Sequence, residues 1–243
     1  MVNRHLEELR LAVVFLTRLP VGRLSDPVPD LSDARWAFPV VGLLVGGITA
    51  LVWMALSALG ASPLLAATLT FGAQAMVTGA LHHDGLADVA DGLGGGRDRA
   101  HALDIMRDSR LGSYGALALA VVSLAWVVAL ADTSHAPLSL LALAVASRMA
   151  MLVVLTELPS AREDGLGQSA STSRRAYGAG LVLTALLMIP LGVPAIAALL
   201  GMTLTTAFLA HRALMRIGGQ TGDVCGATQL LSETGALVAL SMT

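Results

Sequence analysis

The sequence predicts an all-α, polytopic integral membrane protein, and three observations support this fold class. Hydrophobic residues make up 55% of the 243 residues, while charged residues make up 13%. The apolar residues form blocks that are long enough, or nearly so, to cross a hydrocarbon core of about 30 Å. These blocks lack the strict alternation of a membrane β-barrel, so helices must satisfy the backbone inside the lipid. Residues 1–243 are expected to form one integral membrane domain.

Six apolar segments are predicted to be transmembrane helices. They cover residues 38–59, 62–81, 113–131, 138–158, 178–192 and 194–210. The apolar run at 11–16 is short and indicates an interfacial segment, and the run at 235–242 is too short for a crossing. A signal peptide is not expected, because the first ten residues carry acids as well as arginine and no small-residue cleavage site follows.

The arginines predict how the helices are oriented. All 15 basic residues are arginine, and 14 of them lie at the chain start or in alternate connections of the six-helix scheme. Cytoplasmic loops collect positive charge, so both termini and all long polar loops are expected to face the cytoplasm of a bacterial inner membrane. The net charge of −2 gives no composition argument for nucleic acid binding. The single cysteine, Cys225, excludes a disulfide framework and a cysteine-based zinc site.

An acidic motif follows the second predicted span and is the strongest functional signal in the chain. Residues 82–92 read HHDGLADVADG. On a continuous helix, Asp84, Asp88 and Asp91 fall within an arc of about 60°. They would lie near a helix C-terminus, where the macrodipole and mutual repulsion disfavour negative charge. Such a face favours a bound cation, and carboxylate oxygens suit Mg²⁺, or Mn²⁺ as a substitute, better than zinc. The alternative is a solvated acidic face.

The next segment combines glycines with arginines. Residues 92–97 read GLGGGR, which either brings backbone amides close to a phosphate or is simply a flexible break. Farther on, Arg107 and Arg110 are spaced to share one helix face and offer planar forks to phosphate oxygens. Asp108 is a possible additional metal ligand. The alternative is local pairing of aspartate with arginine on a wet surface.

Four further residues are candidates for the site. His82 is a possible general base or ligand, although a hydrogen-bonded helix end is the simpler interpretation. Asp223, in a glycine-rich segment, either reaches a metal or a ribose hydroxyl or is a turn residue. Arg148 lies in the middle of the fourth span and needs a substrate phosphate or a structural ion pair. Arg162 is a possible substrate contact. Together these groups favour metal-assisted transfer at a pyrophosphate on the cytoplasmic side.

Six short stretches resemble motifs of the cobalamin synthase family, the adenosylcobinamide-GDP ribazoletransferases. They are FLTRLP at 15–20, FPVVG at 38–42, HHDGLADVADG at 82–92, RDSRLG at 107–112, DGLG at 164–167 and GQTGD at 219–223. The stretches occur in the family's order over nearly the whole chain, and the central acidic motif is highly specific.

The resemblance implies an integral membrane enzyme that joins α-ribazole, or its 5′-phosphate, to adenosylcobinamide-GDP. GMP leaves, and adenosylcobalamin or its 5′-phosphate forms. The resemblance also implies Mg²⁺ dependence, with Asp84, Asp88, Asp91 and Asp108 as metal ligands. Asp91, Asp108 or His82 would accept the proton of the 5′-hydroxyl. The residues expected to contact substrate are Arg97, Arg107, Ser109, Arg110, Arg148, Arg162, Thr221 and Asp223.

Two other functions fit parts of the pattern. A CDP-alcohol phosphotransferase also places carboxylates beside a nucleotide pyrophosphate, but its motif has an arginine shortly after the first Asp-Gly, and here Asp88 follows instead. A divalent cation transporter would place ionisable groups near the midplane of two related halves. This chain instead crowds them at one surface. The expected partners are the two small-molecule substrates and the lipid bilayer, with a homo-oligomer or other cobalamin-assembly enzymes as further possibilities.

Overall fold

The computed structural model describes residues 2–162 and 175–243, and these form eleven α-helices and no β-sheet. The all-α prediction is therefore confirmed. The helices are α1 (Val2–Leu16), α2 (Leu31–Ala34), α3 (Phe38–Ala58), α4 (Pro63–Thr78), α5 (Leu81–Gly95), α6 (Arg99–Ile105), α7 (Ser113–Asp132), α8 (Ala136–Glu157), α9 (Arg175–Met188), α10 (Pro194–Ile217) and α11 (Gly222–Ser241).

Among the described residues, four helical segments are long and apolar enough to cross a membrane. They are Leu31–Ala58, which joins α2 to α3 through a 3-10 turn, and helices α7, α8 and α10. Helices α4 and α5 form a fifth candidate only as a pair bent by 92°. By length and composition, the described part of the chain thus has four or five candidate spans, where the sequence predicts six. The predicted span at 178–192 corresponds to α9, which is short for a crossing.

The C-terminal segment departs from the prediction. The sequence suggests only a short apolar run at 235–242, but α11 is a 20-residue helix that packs along α10 and against α5, α7 and α8. It was missed because polar residues such as Gln229 and Glu233 interrupt its hydropathy. Both side chains are buried, with exposed fractions of 1% and 2%. Helix α11 is thus a polar helix in the middle of the bundle.

The buried apolar residues form two main clusters at the two ends of the bundle. One contains the end of α1, the starts of α3 and α11, and the ends of α8 and α10. The other contains the end of α7, the starts of α8 and α10, and the end of α11. The arginine-rich connections belong to the first end, because they precede α3 and α7 and follow α8 and α10. The acidic motif lies at the same end, in α5.

Candidate active site

A sharp break separates α4 from α5 and decides where the acidic motif lies. Gly79 and Ala80 both adopt left-handed backbone conformations, with φ of +62° and +57°. Glycine adopts this conformation readily, whereas alanine does so rarely. The second predicted span therefore does not continue as one helix through Asp91, which was the condition for placing the carboxylates near a helix C-terminus. Asp84 lies in the first turn of a new helix, where the macrodipole stabilises a carboxylate instead of opposing it.

Helices α5 and α11 approach each other closely at glycine residues. A Cβ atom on Gly85 would lie 2.7 Å from the backbone carbonyl oxygen of Asp223, and one on Gly226 would lie 3.4 Å from the carbonyl oxygen of Leu81. A side chain at position 85 would force the helices apart. The close approach lets two carboxylates from distant parts of the chain, Asp84 and Asp223, line one cavity.

The cavity has a volume of about 240 Å³ and lies between α1, the start of α3, α5, the end of α8 and α11. Most of its wall is apolar, and its polar side chains are those of His82, Asp84, Asp223 and Cys225. The lining residues are Phe15, Leu16, Leu31, Phe38, Leu81, His82, Asp84, Gly85, Met151, Leu155, Gly222, Asp223, Cys225 and Gly226. An apolar pocket with a few polar groups is typical of a small-molecule site.

Asp223 is held at the start of α11 by two neighbours. Its Oδ2 lies 3.2 Å from Nη2 of Arg162 and accepts a hydrogen bond from the Thr221 hydroxyl at 3.2 Å. Thr221 also caps α11, because its Oγ1 accepts from the backbone N–H of Val224. Burial raises the pKa of the Asp223 carboxyl, and the negative charge of Asp84 raises this pKa further. Arg162 and the Thr221 hydroxyl act in the opposite direction and lower it. Asp84 and Asp223 therefore interact electrostatically.

The loop that carries Arg162 is fixed by a small backbone framework. The N–H of Ala161 donates to the carbonyl oxygen of Gln220, and the N–H of Gln220 donates to that of Pro159, both at 2.8 Å. Arg99 then donates to the carbonyl oxygens of Ala161 and Ile217 at 2.8 and 2.7 Å. The predictions did not include Arg99, which joins the segments before and after the site.

The three aspartates of the motif do not converge on one point. Asp88 is half-buried and interacts electrostatically with Asp84 and Asp223. Asp91 is buried and turned toward α7, where its two oxygens accept the backbone N–H groups of Gly112 and Gly115 at 2.7 and 2.9 Å. Asp91 thus caps the start of α7. Within residues 2–162 and 175–243, no group of three or more acidic, histidine or cysteine side chains is close enough to hold an ion.

The remaining carboxylates still have the composition of a magnesium site. Mg²⁺ is commonly held by one or two carboxylates, with substrate phosphates and water completing its octahedron. Asp84 is exposed to solvent and Asp88 lies one turn farther along the same helix, so both meet this requirement. The donor set therefore fits a magnesium ion that arrives with a phosphorylated substrate, and it does not form a cage that holds the ion by itself.

The predicted phosphate-binding arginines lie on the surface. Arg110 forms a bidentate ion pair with Asp108, and this guanidinium lowers the pKa of the Asp108 carboxyl to about 2. The Nε atom of Arg97 lies 3.7 Å from Oδ2 of Asp98. Arg107 and Ser109 are exposed near the end of α6. The structure therefore shows the local pairing of Asp108 that the sequence left as an alternative.

The glycine run at 92–97 does not form a phosphate-binding loop. Residues 92–95 belong to α5, so their backbone groups are in a helical region. A Cβ on Gly92 or Gly96 would clash with α6, at Met106 or Ala102, and one on Gly94 would clash with the ring of Tyr114. These glycines allow close helix packing. The DGLG motif at 164–167 lies outside the described residues.

Arg148 lies in the core and belongs to a buried polar cluster centred on Glu233. The guanidinium is fully buried, donates from Nη1 to the Ala144 carbonyl oxygen at 2.8 Å and is attracted by Glu233. The Glu233 carboxylate accepts from four side chains of four helices. They are Gln74 at 2.5 Å, Trp126 at 3.1 Å, Ser147 at 3.2 Å and Gln229 at 2.6 Å. Arg148 is not among the described residues that line the cavity.

The two adjacent histidines have different surroundings. His82 is 3% exposed and lines the cavity, and none of the described residues forms a hydrogen bond with either of its ring nitrogens. His83 packs edge-on against Phe71, with ring centroids 5.0 Å apart. Of the sequence-predicted residues, the structure thus brings His82, Asp84 and Asp223 to the cavity wall, with Asp88 and Arg162 beside them. Glu233 was missed because nothing in its local sequence distinguishes it.

Comparison with known proteins identifies relatives over almost the whole chain. The model of the family described as cobalamin-5-phosphate synthase matches residues 8–241. The adenosylcobinamide-GDP ribazoletransferases of Bradyrhizobium diazoefficiens and Mesorhizobium japonicum are each 44% identical. The alignments cover 98% of this chain and 94% and 93% of theirs. The Sinorhizobium medicae protein of the same name is 41% identical over 97% of this chain and 96% of its own. No solved structure matches. The chain belongs to the cobalamin-5-phosphate synthase family.

Proposed function

We propose that this protein is an adenosylcobinamide-GDP ribazoletransferase, which joins α-ribazole or its 5′-phosphate to adenosylcobinamide-GDP and releases GMP. The observation that carries the proposal is the shared wall of the cavity, where Asp84 of the family's acidic motif meets Asp223 of a second matching motif. An apolar cavity bordered by carboxylates suits a nucleoside acceptor and a phosphate-bearing donor. Relatives with this name are similar over nearly their full lengths.

In the proposed reaction, a ribose hydroxyl oxygen of α-ribazole attacks the phosphorus bonded to cobinamide. Because the acceptor can carry a 5′-phosphate that remains in the product, this hydroxyl is not the 5′-hydroxyl that the resemblance implies but another hydroxyl of the ribose. A new phosphorus–oxygen bond forms, the bond from this phosphorus to GMP breaks, and the electron pair leaves with GMP. Asp84 and Asp88 would hold Mg²⁺, or Mn²⁺ in its place, and a divalent ion held there would supply charge neutralisation at the pyrophosphate and the leaving group. Arg107 and Arg110 at the cytoplasmic surface would bind donor phosphates.

Asp223 is the group best placed to accept the proton of the attacking hydroxyl. It lines the cavity, and Arg162 and Thr221 fix its orientation. Both oxygens of Asp91 are bonded to backbone N–H groups, and Asp108 is paired with Arg110. His82 lies in the interior wall of the cavity, and none of the described carboxylates forms a hydrogen bond with its ring. The general base is therefore assigned to Asp223 rather than to the three candidates from the sequence.

Purified protein in lipid nanodiscs tests the function directly. Incubation with adenosylcobinamide-GDP, α-ribazole and Mg²⁺ is expected to release GMP and form a corrinoid product in equal amounts, and removal of Mg²⁺ with a chelator should stop the reaction. CDP-diacylglycerol and an alcohol should give no product. Product only from the lipid pair would instead identify a CDP-alcohol phosphotransferase.

The proposed location is the bacterial inner membrane, with the site facing the cytoplasm. The arginine-rich connections and the acidic motif occupy the same end of the bundle, as the positive-inside rule requires. A cysteine introduced at Asp98 in a Cys225→Ser background should react with an impermeant maleimide only in inverted vesicles. Labelling in intact spheroplasts would place the site on the opposite side.

A further inference from the structure

We infer that the cavity between α1, α3, α5, α8 and α11 binds the aromatic base of the acceptor nucleoside, with His82 as the residue that recognises the base. This inference rests on the proposed function and assigns one part of one substrate to a defined set of residues. It is carried by three observations: the apolar character of the inner wall, the position of the two carboxylates, and the unpartnered ring of His82.

The inner wall of the cavity suits a flat apolar ring. Phe15 and Phe38 stack with ring centroids 6.0 Å apart, and both line the cavity. Met151 and Leu155 contribute from one face of α8. A thioether and two aromatic rings pack well against an aromatic ligand. A cavity of about 240 Å³ has room for a fused bicyclic base and its sugar but not for a corrin macrocycle with its side chains. The corrinoid must therefore stay outside this cavity.

His82 provides the specific polar contact in this apolar wall. Its ring is 3% exposed and neither nitrogen has a hydrogen-bond partner in the structure. A buried polar group without a partner costs free energy, so such groups in native proteins usually have a role or a missing ligand. A benzimidazole attached to ribose through one nitrogen keeps the other as an acceptor. The neutral imidazole of His82 can donate one N–H to that nitrogen.

The carboxylates fix the direction in which the nucleoside lies. Asp84 and Asp223 line the same cavity as His82, but Asp84 is exposed and Asp223 is close to the surface residue Arg162. With the base packed against Met151 and Phe38, the ribose extends toward the carboxylates. A hydroxyl of the ribose then reaches the side where the donor pyrophosphate arrives. The geometry therefore separates an apolar base subsite from a polar reaction subsite.

A pair of tryptophan variants on one helix tests the base subsite. Met151→Trp fills the cavity from its apolar wall and should raise the KM for α-ribazole at least about tenfold, because it blocks apolar contacts of the base. The KM for adenosylcobinamide-GDP should stay unchanged. The matched control is Val153→Trp, which introduces the same side chain two residues away, at a residue that is 39% exposed. An unchanged KM for α-ribazole in a folded Met151→Trp variant would overturn the inference.

The role of His82 is separated from catalysis by kinetics. His82→Phe keeps a ring of similar shape but removes the donor, so it should raise the KM for α-ribazole by about tenfold while kcat and its pH profile stay similar. A nucleoside whose base lacks the acceptor nitrogen should bind the wild type and this variant equally. A fall in kcat with an altered pH profile and no change in KM would make His82 a general base and would contradict the assignment.

A third measurement uses the wild-type protein and needs no turnover. Cys225 is the single cysteine and lines the cavity, so its modification by methyl methanethiosulfonate at alkaline pH, where more of the buried thiol is ionised, reports occupancy. α-Ribazole alone should slow the modification several-fold, and GMP should not. A Cys225→Ser protein carrying Val153→Cys serves as the control, whose labelling should not respond to the nucleoside.

The two proposals fail in different ways. Protection of Cys225 by α-ribazole without GMP release would support the base subsite and contradict the proposed reaction. GMP release from the wild type without protection of Cys225, and with a normal KM in Met151→Trp, would support the reaction and place the base elsewhere.

Discussion

The buried carboxylate of Glu233 and the three carboxylates beside the cavity have opposite surroundings in the same bundle. Glu233 accepts hydrogen bonds from four side chains that belong to α4, α7, α8 and α11. Asp84, Asp88 and Asp223 instead repel one another beside a cavity. A buried carboxylate that has four donors is stabilised by the fold itself, whereas a set of like charges is stabilised by a bound cation or costs free energy. We therefore expect Glu233 to stabilise the fold and the three aspartates to act in the proposed reaction.

The largest effect is expected from the repelling group. Asp84→Asn and Asp88→Asn should each lower turnover about a thousandfold or more, because a bound divalent ion contributes several kcal/mol of transition-state stabilisation. The melting temperature should stay the same or rise, since a like-charge repulsion is removed. GMP release and thermal unfolding in detergent measure the two effects. Asp104→Asn, at an exposed position on α6, is the matched control. Near-normal turnover in both variants would remove the metal-binding assignment.

Glu233 should show the reverse pattern. Glu233→Leu leaves four buried donors without their acceptor and removes the negative charge that attracts the buried Arg148, so the free energy of unfolding should fall by about 3 kcal/mol or more. Glu233→Gln keeps the shape and part of the acceptor capacity, so its loss should be smaller. Thermal unfolding measures both, and turnover per folded molecule should change little. A stable Glu233→Leu protein without turnover would assign this residue to the reaction instead.

Asp91 belongs to the acidic motif by sequence but, like Glu233, has its carboxylate oxygens bonded within the fold. The sequence places it with the metal ligands, but its oxygens accept two backbone N–H groups at the start of α7. Asp91→Asn replaces one acceptor by a donor and should cost about 1 to 2 kcal/mol of stability, as for loss of a helix cap. Turnover should decrease far less than in Asp84→Asn. Full stability combined with lost turnover would restore the role predicted from the sequence.

The smallest effect is expected at Asp108. The pKa of this carboxyl is lowered to about 2 by Arg110, so the group remains ionised above about pH 4 and its pairing is lost only as the pH falls through about 2. The activity profiles of the wild type and of Asp108→Asn between about pH 5 and pH 9 should therefore have the same shape. A profile limb that disappears in the variant would show that Asp108 takes part in proton transfer.

Composition predicted the fold class, and the motifs singled out several residues that the structure brings together. Long apolar blocks with few charges allow only a helical membrane protein, and the acidic motif and Asp223 do meet at the cavity. The break at Gly79 and Ala80 was not predictable, because a single glycine precedes it and alanine normally favours a helix. The surroundings of Asp91 were not predictable for a related reason: its hydrogen-bond partners are backbone groups 21 and 24 residues away. Local spacing does not reveal such contacts.

Helix α11 shows the limit of hydropathy as a guide. Its central polar residues lower its apolar character, yet they are buried because other helices supply their partners. The donors Gln74, Trp126 and Ser147 are distant in sequence from Glu233. A window of neighbouring residues therefore cannot identify this helix as a core element.

The same polar helix has a consequence for biogenesis. A segment with Gln229 and Glu233 near its middle partitions poorly into lipid alone, since a charged or amide side chain at the bilayer centre is costly. Its polar side chains are satisfied only where α4, α7 and α8 already present their donors. These three helices precede α11 in the chain, so they are synthesised before α11, whose buried Glu233 depends on their donors.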